Sequence, residues 1–207
     1  CGGSDDYIAW IDGSLGVAPK TDSYFSTSRF DFRVFDDPTE LFEAIKSRNR
    51  INGKSRLVAG YCWDWVSRKG SGEPDIVFPE YRFEADWNLQ THGSAWIVKD
   101  ESIDEVGCIH TCQGLELDYV GVIVGADLVF RNGRIESDPS ARAKTDKSLH
   151  GYKKALKERP DEARLKADRI IRNTYRTLLT RGMKGCFVYF ADSALAQHFR
   201  ELVVEID

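Results

Sequence analysis

The 207-residue sequence lacks the features that mark membrane and secreted proteins. It contains no run of eighteen apolar residues, so no transmembrane helix is expected. Its first ten residues, CGGSDDYIAW, have no basic region followed by an apolar stretch and therefore do not indicate a secretory signal. Hydrophobic residues make up 42% of the chain, which is enough for the core of a globular domain. We expect a cytoplasmic protein without a membrane partner.

Paired cysteines are lacking as well. The five cysteines form no CxxC pair, and three of them lie in apolar, strand-like segments: Cys62, Cys108 and Cys186. Buried free thiols in a reducing compartment are the expected outcome. The residues that could suggest zinc are His92, His110, Cys108 and Cys112. Their spacing fits no standard zinc site, so no metal is expected, and a hydrolase built from Cys112 and His110 is equally disfavoured.

The net charge of −4 conceals an uneven distribution. Residues 140–185 carry 14 Lys or Arg against 5 Asp or Glu, whereas residues 1–139 carry 14 against 24. A basic stretch within an acidic chain can be a footprint for nucleic acid or phosphate, and it can equally be a solvated helix face. Charge alone leaves these two interpretations open.

Strands that alternate with helices along the chain predict an α/β fold with a mostly parallel sheet. Apolar or alternating segments predict strands at 30–35, 56–62, 106–109, 119–124 and 184–190. Helical spacing predicts helices near 5–15, after Asp37-Pro38, at 161–181 and at 193–203. A hairpin is expected around Asn132-Gly133, and loops or irregular segments at 47–54, 68–80, 83–96 and 136–150. With no repeat and no convincing linker, residues 1–207 are expected to form a single domain.

The segment 105–124 (EVGCIHTCQGLELDYVGVIV) is the first that carries chemistry. Two predicted strands flank a loop whose notable residues are His110, Thr111, Gln113, Gly114 and Glu116. Gly114 allows a ligand to approach the backbone, and Thr111 and Gln113 offer neutral hydrogen bonds. Glu116 could accept hydrogen bonds from a ribose or cap a helix. Ligands bind at the carboxyl ends of parallel strands, where this loop is expected. The alternative is a plain tight turn with Glu116 on the surface.

The segment 170–190 (IIRNTYRTLLTRGMKGCFVYF) is the second. A basic helix ends at Thr180-Arg181-Gly182, and a strand follows. An arginine at this position can reach a bound phosphate and stabilise charge on a transferred phosphoryl group. The alternative is that Arg181 interacts only with the dipole of its own helix.

Together the two segments resemble motifs V and VI of superfamily 1 helicases, where a T-x-H-x-x-[KQ]-G-L-E pattern is followed by a T-R-A-like segment. The residues that match the first pattern are His110, Gln113, Gly114, Leu115 and Glu116. Cys108 stands in place of its threonine. Thr180 and Arg181 match the second pattern, with Gly182 in place of the usual alanine.

A closer resemblance is to a bacterial family of uncharacterised P-loop proteins grouped with the Schlafen helicase-like domains. The shared runs are GCIHTCQGLE-x-DYVGVI, NTYR-x-LLTRGMKG and the stretch RLVAGYCWDW at 56–65. The resemblance spans most of the chain. It implies a RecA-like fold, a mostly parallel sheet flanked by helices, and the C-terminal RecA-like half of a superfamily 1 helicase-like ATPase.

The resemblance also implies roles for individual residues. Arg181 would be the arginine finger directed at the γ-phosphate of ATP, and Gln113 and Gly114 would lie near that phosphate and couple it to a nucleic-acid track. Glu116 would contact the ribose. His110 and Thr111 would touch a DNA or RNA backbone. The basic helix 164–176 could flank that track, by charge alone.

The phosphate loop itself is missing from the 207 residues. No GxxxxGK[ST] pattern occurs, and the nearest candidate, Asn52-Gly53-Lys54-Ser55, is expected to be a turn. The family places its Walker A loop and Walker B strand earlier, so we expect an N-terminal P-loop domain to hold most of the ATP and Mg²⁺. The segment CGGSDDY resembles the residues just after the family's motif IV. By itself the chain is not expected to hydrolyse ATP.

Two alternatives remain beside the helicase-like ATPase. The chain could be a non-catalytic nucleotide- or nucleic-acid-binding, regulatory module of a switch ATPase. A stand-alone enzyme is disfavoured because no complete site is present. The aromatic residues Tyr61, Trp63, Trp65 and Trp87 could stack on bases or pack in the core, and the sequence assigns no role to Asp64.

Overall fold

The central sheet follows from the apolar runs of the sequence. The computed structural model describes residues 3–19, 24–28, 30–67, 72–88, 93–112 and 114–204. The strands are β1 (Phe25–Ser26), β2 (Asp31–Phe35), β3 (Ser55–Ala59), β4 (Ile76–Phe78), β5 (Phe83–Trp87), β6 (Glu105–Gly107), β7 (Leu117–Val124), β8 (Leu128–Arg131), β9 (Arg134–Ser137), β10 (Gly182–Phe190) and β11 (Val203–Val204). The α-helices are α1 (Asp5–Ser14), α2 (Pro38–Asn52), α3 (Ile109–Cys112), α4 (Tyr152–Glu158), α5 (Pro160–Leu179) and α6 (Ser193–Glu201).

Seven strands form one sheet in the order β2-β10-β7-β3-β6-β5-β4. All neighbouring pairs are parallel except β4 and β5, which are antiparallel. Two small pairs, β1 with β11 and β8 with β9, lie outside this sheet. The predicted α/β fold with a mostly parallel sheet flanked by helices is therefore confirmed.

Side-chain alternation along the strands builds two apolar layers, because successive residues of a strand point to opposite faces. On β7, Val120 and Val122 pack with α1, α5 and α6, and we call this face the first layer. Ile123 packs with α2 on the other face, which we call the second layer. The neighbouring β10 repeats the pattern, with Val188 in the first layer and Phe187 in the second. Central strands buried on both faces account for their nearly continuous apolar sequences.

Helix α2 shows how local signals set an element's limits. Asp37 caps its amino end by accepting from the Thr39 amide at 2.6 Å, and Pro38 occupies the first turn. Gly53 ends the helix with a φ of 72°. The expected turn at 47–54 is thus wrong for most of its length, since the helix continues to Asn52. The interpretation of residues 52–55 as a turn instead of a phosphate loop agrees with this geometry.

Several short elements lie where loops were expected or nothing was predicted, among them β4, β5 and α4. Strand β4 falls within 68–80 and β5 within 83–96, and their apolar residues Ile76 and Trp87 are fully buried. Each is too short to stand out between charged neighbours, and pairing with a neighbouring strand decides its conformation. Helix α4 has no apolar stripe long enough to be recognised. Residues 68–71 and 89–92 lie outside the described ranges.

Within the described ranges, no helix combines the length and apolar character needed to cross a bilayer.

Candidate functional site

The two motif segments meet at the edge of the sheet where β7 and β10 begin, which we call the amino edge. The Leu117 amide donates to the Arg181 carbonyl at 3.3 Å, and Leu117 pairs in register with Gly182. Glu116 precedes this junction on one strand and Arg181 on the other. The structure therefore brings residues 114–116 and 180–182 together, although 65 positions separate Glu116 from Arg181.

The Arg181 side chain points back toward the last turn of α5. Its Nε donates to the Thr177 carbonyl at 3.2 Å, one turn earlier in α5. Burial, followed by the neighbouring Cys108, raises the pKa of the Cys112 thiol, and the positive charge of Arg181 partly offsets this rise. The guanidinium is therefore close enough to Cys112 to act on its thiol electrostatically. It forms no ion pair with any carboxylate in the described part of the chain, which leaves its charge available.

Gly114 and Glu116 present an open approach beside that arginine. Gly114 has a φ of +83°, and a Cβ built there would meet nothing within 4 Å. Glu116 is exposed and has no hydrogen-bond partner among the described side chains. Gln113, the remaining residue of the predicted phosphate contact, lies outside the described residues. A ligand could reach both the backbone at Gly114 and the Glu116 carboxylate.

His110 and Thr111 lie apart from this junction, at the carboxyl end of β6. His110 is exposed on α3, which packs against α5. The Thr111 hydroxyl donates to Asn88 Oδ1 at 2.7 Å and accepts from the Cys108 amide at 3.4 Å. Thr111 thus closes the turn after β6, whereas His110 remains accessible to a ligand.

The expectation that this loop lies wholly at the carboxyl ends of parallel strands is therefore only half right. Residues 108–112 follow the carboxyl end of β6, but residues 114–116 lead into the amino end of β7. The segment crosses the first apolar layer between the two edges, with Cys112 fully buried beneath it. The predicted nucleotide contacts and the predicted nucleic-acid contacts therefore occupy different ends of one segment.

The basic helix 164–176 is less basic at its surface than its sequence indicates. Arg172 binds Asp168 at 2.8 Å and donates to the Ile135 carbonyl at 2.7 Å. Arg176 pairs with Asp12 of α1. Lys166 and Arg169 are the cations of this range that have no ion pair among the described residues. Several arginines here tie α5 to its neighbours instead of facing solvent.

Asp64 and the tryptophans after β3 hold a loop in place. Asp64 Oδ1 accepts from the Thr145 amide at 3.3 Å and from its hydroxyl at 3.2 Å. Trp87 is fully buried and its Nε1 donates to the Trp63 carbonyl at 3.2 Å. Trp63 and Trp65 are half-buried and pack against the second layer. Core packing thus accounts for Trp87, and Asp64 receives a structural role.

A buried charged network lies where β3 and β7 end, which we call the carboxyl edge. Arg142 and Asp127 pair at 2.9 Å, and their side chains are 3% and 0% exposed. Tyr175 donates to Asp127 and accepts from the Gly125 amide at 2.9 Å. Burial alone would lower the pKa of Arg142, but the carboxylates of Asp127 and Asp146 outweigh burial and raise it. Sequence reasoning missed this network, because its members look like loop charges.

The described cysteines are free thiols, as expected, but Cys62 is less buried than predicted. Cys108, Cys112 and Cys186 are buried free thiols, and Cys62 is half-buried. Burial raises the pKa of Cys186 to about 12, which leaves it inert. His92, one of the zinc candidates, lies outside the described residues. Among the residues the structure covers, no group of three or more His, Cys, Asp or Glu side chains is arranged for a metal ion.

Comparison with known proteins supplies the family. The model described as "Schlafen group 3, DNA/RNA helicase domain" matches residues 1–192. Uncharacterized protein YPL245W of Saccharomyces cerevisiae is 31% identical over 206 residues, covering 92% of this chain and 43% of that protein. The chain thus spans less than half the length of this relative. Because the relative is a yeast protein, a specifically bacterial family stays a prediction.

Among solved structures, the chain is similar to the C-terminal domain of a possible DNA helicase from Lactobacillus plantarum WCFS1. The TM-score is 0.37 and the identity 13%, over 100% of this chain and 99% of that one. The match over residues 1–192, which is most of the chain, shows the family. The chain belongs to the Schlafen group 3, DNA/RNA helicase domain family.

Proposed function

We propose that this chain is the C-terminal RecA-like part of a helicase-like ATPase and supplies the arginine finger of a site completed by an N-terminal P-loop domain. One observation carries the proposal. Arg181 is partly buried, has no ion pair among the described residues, and lies at the same strand junction as Glu116. An unpaired arginine at a domain edge is suited to charge on a ligand that arrives from outside the domain.

The described residues fit part of an ATP site. The open approach at Gly114 admits a phosphate or a ribose, and Glu116 has free acceptors for ribose hydroxyls. The sequence offers no glycine-rich phosphate loop, so the bulk of the contacts to ATP and Mg²⁺ belong to the P-loop domain. ATP with its Mg²⁺ would supply the phosphoryl group and most of the local charge.

In this proposal Arg181 places a fixed positive charge where negative charge develops during phosphoryl transfer. The Thr177 carbonyl holds its Nε, which restricts the guanidinium before the ligand arrives. A short segment leads from His110, near the carboxyl end of β6, to the junction of β7 with Arg181. A conformational change at Gly114 would therefore alter the position of His110, which is the coupling that a nucleic-acid-dependent ATPase needs.

The test is Arg181→Ala in the full-length protein with its P-loop domain. Turnover should fall by about 10³-fold or more, the range seen when an arginine finger is removed. ATP binding, measured with a fluorescent analogue, should change little because the P-loop domain provides most contacts. Arg169→Ala is the matched control, since Arg169 is exposed on α5, the helix that ends just before Arg181, and also has no ion pair among the described residues. Equal turnover in the Arg181→Ala and Arg169→Ala variants would contradict the proposal.

A second candidate is a module that binds nucleotide or nucleic acid without driving motion. The open approach at Gly114 and the exposed Glu116 carboxylate favour this candidate, because they would bind a nucleotide whether or not Arg181 takes part in catalysis. ATPase assays with and without single-stranded DNA or RNA separate the two. Strong stimulation by either polymer supports the helicase-like ATPase, whereas turnover that ignores both supports the switch module.

A further inference from the structure

Ion pairing divides the basic stretch 140–185 into two groups. Among the arginines, five pair with carboxylates: Arg142, Arg159, Arg164, Arg172 and Arg176. Between residues 144 and 157, four exposed lysines form no ion pair in the part of the chain that the structure describes: Lys144, Lys147, Lys153 and Lys157. We call these four the lysine surface. Much of the uncompensated charge of the stretch is therefore concentrated within 14 residues.

The first two lysines lie at the ends of the loop 144–147, which we call the pinned loop because hydrogen bonds hold its two middle residues. Lys144 and Lys147 flank Thr145 and Asp146, and both of these residues are held by buried or half-buried groups. Asp64 accepts from Thr145 at 3.2 Å, and Asp146 accepts from Arg142 Nε at 2.7 Å. The backbone between the lysines is fixed, so less conformational entropy is lost when their side chains contact a ligand.

Helix α4 carries the other two. Lys153 and Lys157 are four residues apart and therefore lie on one face of the helix. Helix α4 and the turn Lys147–Leu149 both pack on α5, whose first half presents the exposed cations Lys166 and Arg169. Like charges at this spacing repel each other weakly. A bound polyanion would remove that repulsion.

The lysine surface is distinct from the proposed nucleotide site. Helix α5 has 20 residues and so spans about 30 Å between its amino end, near α4, and Arg181 just beyond its carboxyl end. One mononucleotide cannot bridge that distance. An extended polymer of phosphates can, and its negative charge is complementary to the four lysines.

We propose that the lysine surface binds the phosphate backbone of single-stranded nucleic acid. The proposal deepens the proposed function, on which it rests in taking nucleic acid as the polyanion, and it adds a contact region beside the edge of the sheet that carries His110. Asp64, which holds the pinned loop, lies between Trp63 and Trp65, and the side chains of both tryptophans are half-buried. An unpaired base can stack on such a ring only where it is exposed, and paired bases cannot reach it. This juxtaposition favours a single strand over a duplex.

The experiment measures binding of fluorescently labelled oligothymidylate to the full-length protein over a series of NaCl concentrations. The variant replaces all four lysines of the surface by glutamine. The slope of log K against log salt should become shallower by about 0.7 for each phosphate that the protein no longer neutralises, or about 3 for all four lysines. Affinity at moderate salt should fall on the order of 100-fold. A labelled duplex of the same length should bind the parent protein more weakly.

The matched control neutralises two cations that have carboxylate partners elsewhere, Lys46→Gln with Arg33→Gln. A partial variant, Lys153→Gln with Lys157→Gln, carries the same charge change and should lower the slope where the control does not. Equal slopes in the two double variants would overturn the proposal. Binding to anionic phospholipid vesicles without binding to oligothymidylate would also overturn it.

Two further measurements keep this proposal separate from the proposed function. ATP turnover of the lysine variant without nucleic acid should equal that of the parent. The Arg181→Ala variant should bind oligothymidylate with the parent's salt slope. If Arg181→Ala retains turnover while the lysine variant has a shallower salt slope, the ATPase proposal fails and the lysine surface stands. If Arg181→Ala loses turnover while the lysine variant keeps the parent's slope, the ATPase proposal stands and the lysine surface fails.

Discussion

Two arginines at opposite edges of the sheet differ in how their charge is compensated. At the carboxyl edge, Arg142 is buried and bonded to Asp127 and Asp146. At the amino edge, Arg181 is partly exposed, and its described partner is a single backbone carbonyl. The guanidinium of Arg142 is hydrogen-bonded to carboxylates of its own chain. In Arg181 only Nε has a hydrogen-bond partner among the described residues. The carboxyl-edge network therefore stabilises the fold, whereas the unpaired Arg181 is the residue to which our proposal assigns a ligand.

Replacing Arg142 with methionine should have the largest effect on stability. It leaves the Asp127 carboxylate buried without its cation, and breaking such a pair costs about 3–5 kcal/mol. Arg181→Met removes one hydrogen bond of a partly exposed side chain and should cost about 1 kcal/mol or less. Urea denaturation followed by circular dichroism measures both. Similar losses of stability in the two variants would remove the contrast between the edges.

One glycine at each edge of the sheet tests the same contrast. Alanine should destabilise the fold at both positions, but for different physical reasons. A Cβ at Gly125, on the carboxyl edge, would lie 2.4 Å from Cys62 Sγ. We expect Gly125→Ala to cost about 1–3 kcal/mol from overpacking, and Cys62→Ala in the same chain to recover part of it. Gly114 has open space but a φ of +83°. Gly114→Ala should cost about 1–2 kcal/mol from backbone strain, and Gly114→Asn less, both measured by urea denaturation. Recovery of Gly114→Ala by a core truncation would contradict this division.

Alkaline pH should act through the carboxyl edge. Burial first, then the charge of Asp127, raises the pKa of Tyr175 well above its ordinary value near 10. The unfolded chain therefore loses this proton at a lower pH than the folded one. Its stabilising contribution is complete below about pH 10 and declines as the pH rises further, by about 1.4 kcal/mol per pH unit.

Tyr175→Phe tests this dependence. The variant lacks the bond to Asp127 at every pH, but its unfolding free energy should decline less steeply above pH 10 than that of the parent. Tyr24→Phe is the control, because the Tyr24 side chain is 67% exposed. Denaturation curves measured at several alkaline pH values give the two slopes. Parallel declines in Tyr175→Phe and the parent would show that Tyr175 does not titrate differently in the folded state.

The amino edge was predictable from sequence and the carboxyl edge was not. Strong apolar runs define β7 and β10, and the motif residues precede them directly, so the junction of Glu116 with Arg181 follows once the strands are neighbours. The network of Arg142 and Asp127 depends on a side-chain pair 15 residues apart across two turns. Nothing in the local pattern distinguishes these charges from solvated ones, because their pairing is decided only by the tertiary fold.

The same limit explains the basic helix. Arg172 and Arg176 contribute to the sequence charge as fully as any lysine does. Their partners, Asp168 and Asp12, become visible only when α5 packs against its neighbours. Short strands such as β4 are missed for a related reason, since pairing with β5 and not propensity decides them. Charge runs in sequence therefore overstate the surface available to nucleic acid.

The smallest expected effect concerns Thr145, whose hydroxyl connects the pinned loop to the residues that follow β3. Thr145→Val removes the hydroxyl that bonds to Asp64 at 3.2 Å and to Tyr61 at 3.2 Å, but keeps the side-chain volume. Because the site is exposed, stability should fall by about 0.5–1.5 kcal/mol. If the pinned loop presents Lys144 and Lys147 to nucleic acid, this variant should also weaken oligothymidylate binding by a few-fold with an unchanged salt slope, since no charge is removed. A changed slope would mean that the substitution removes phosphate contacts directly, and unchanged affinity would mean that the loop's rigidity contributes nothing to binding.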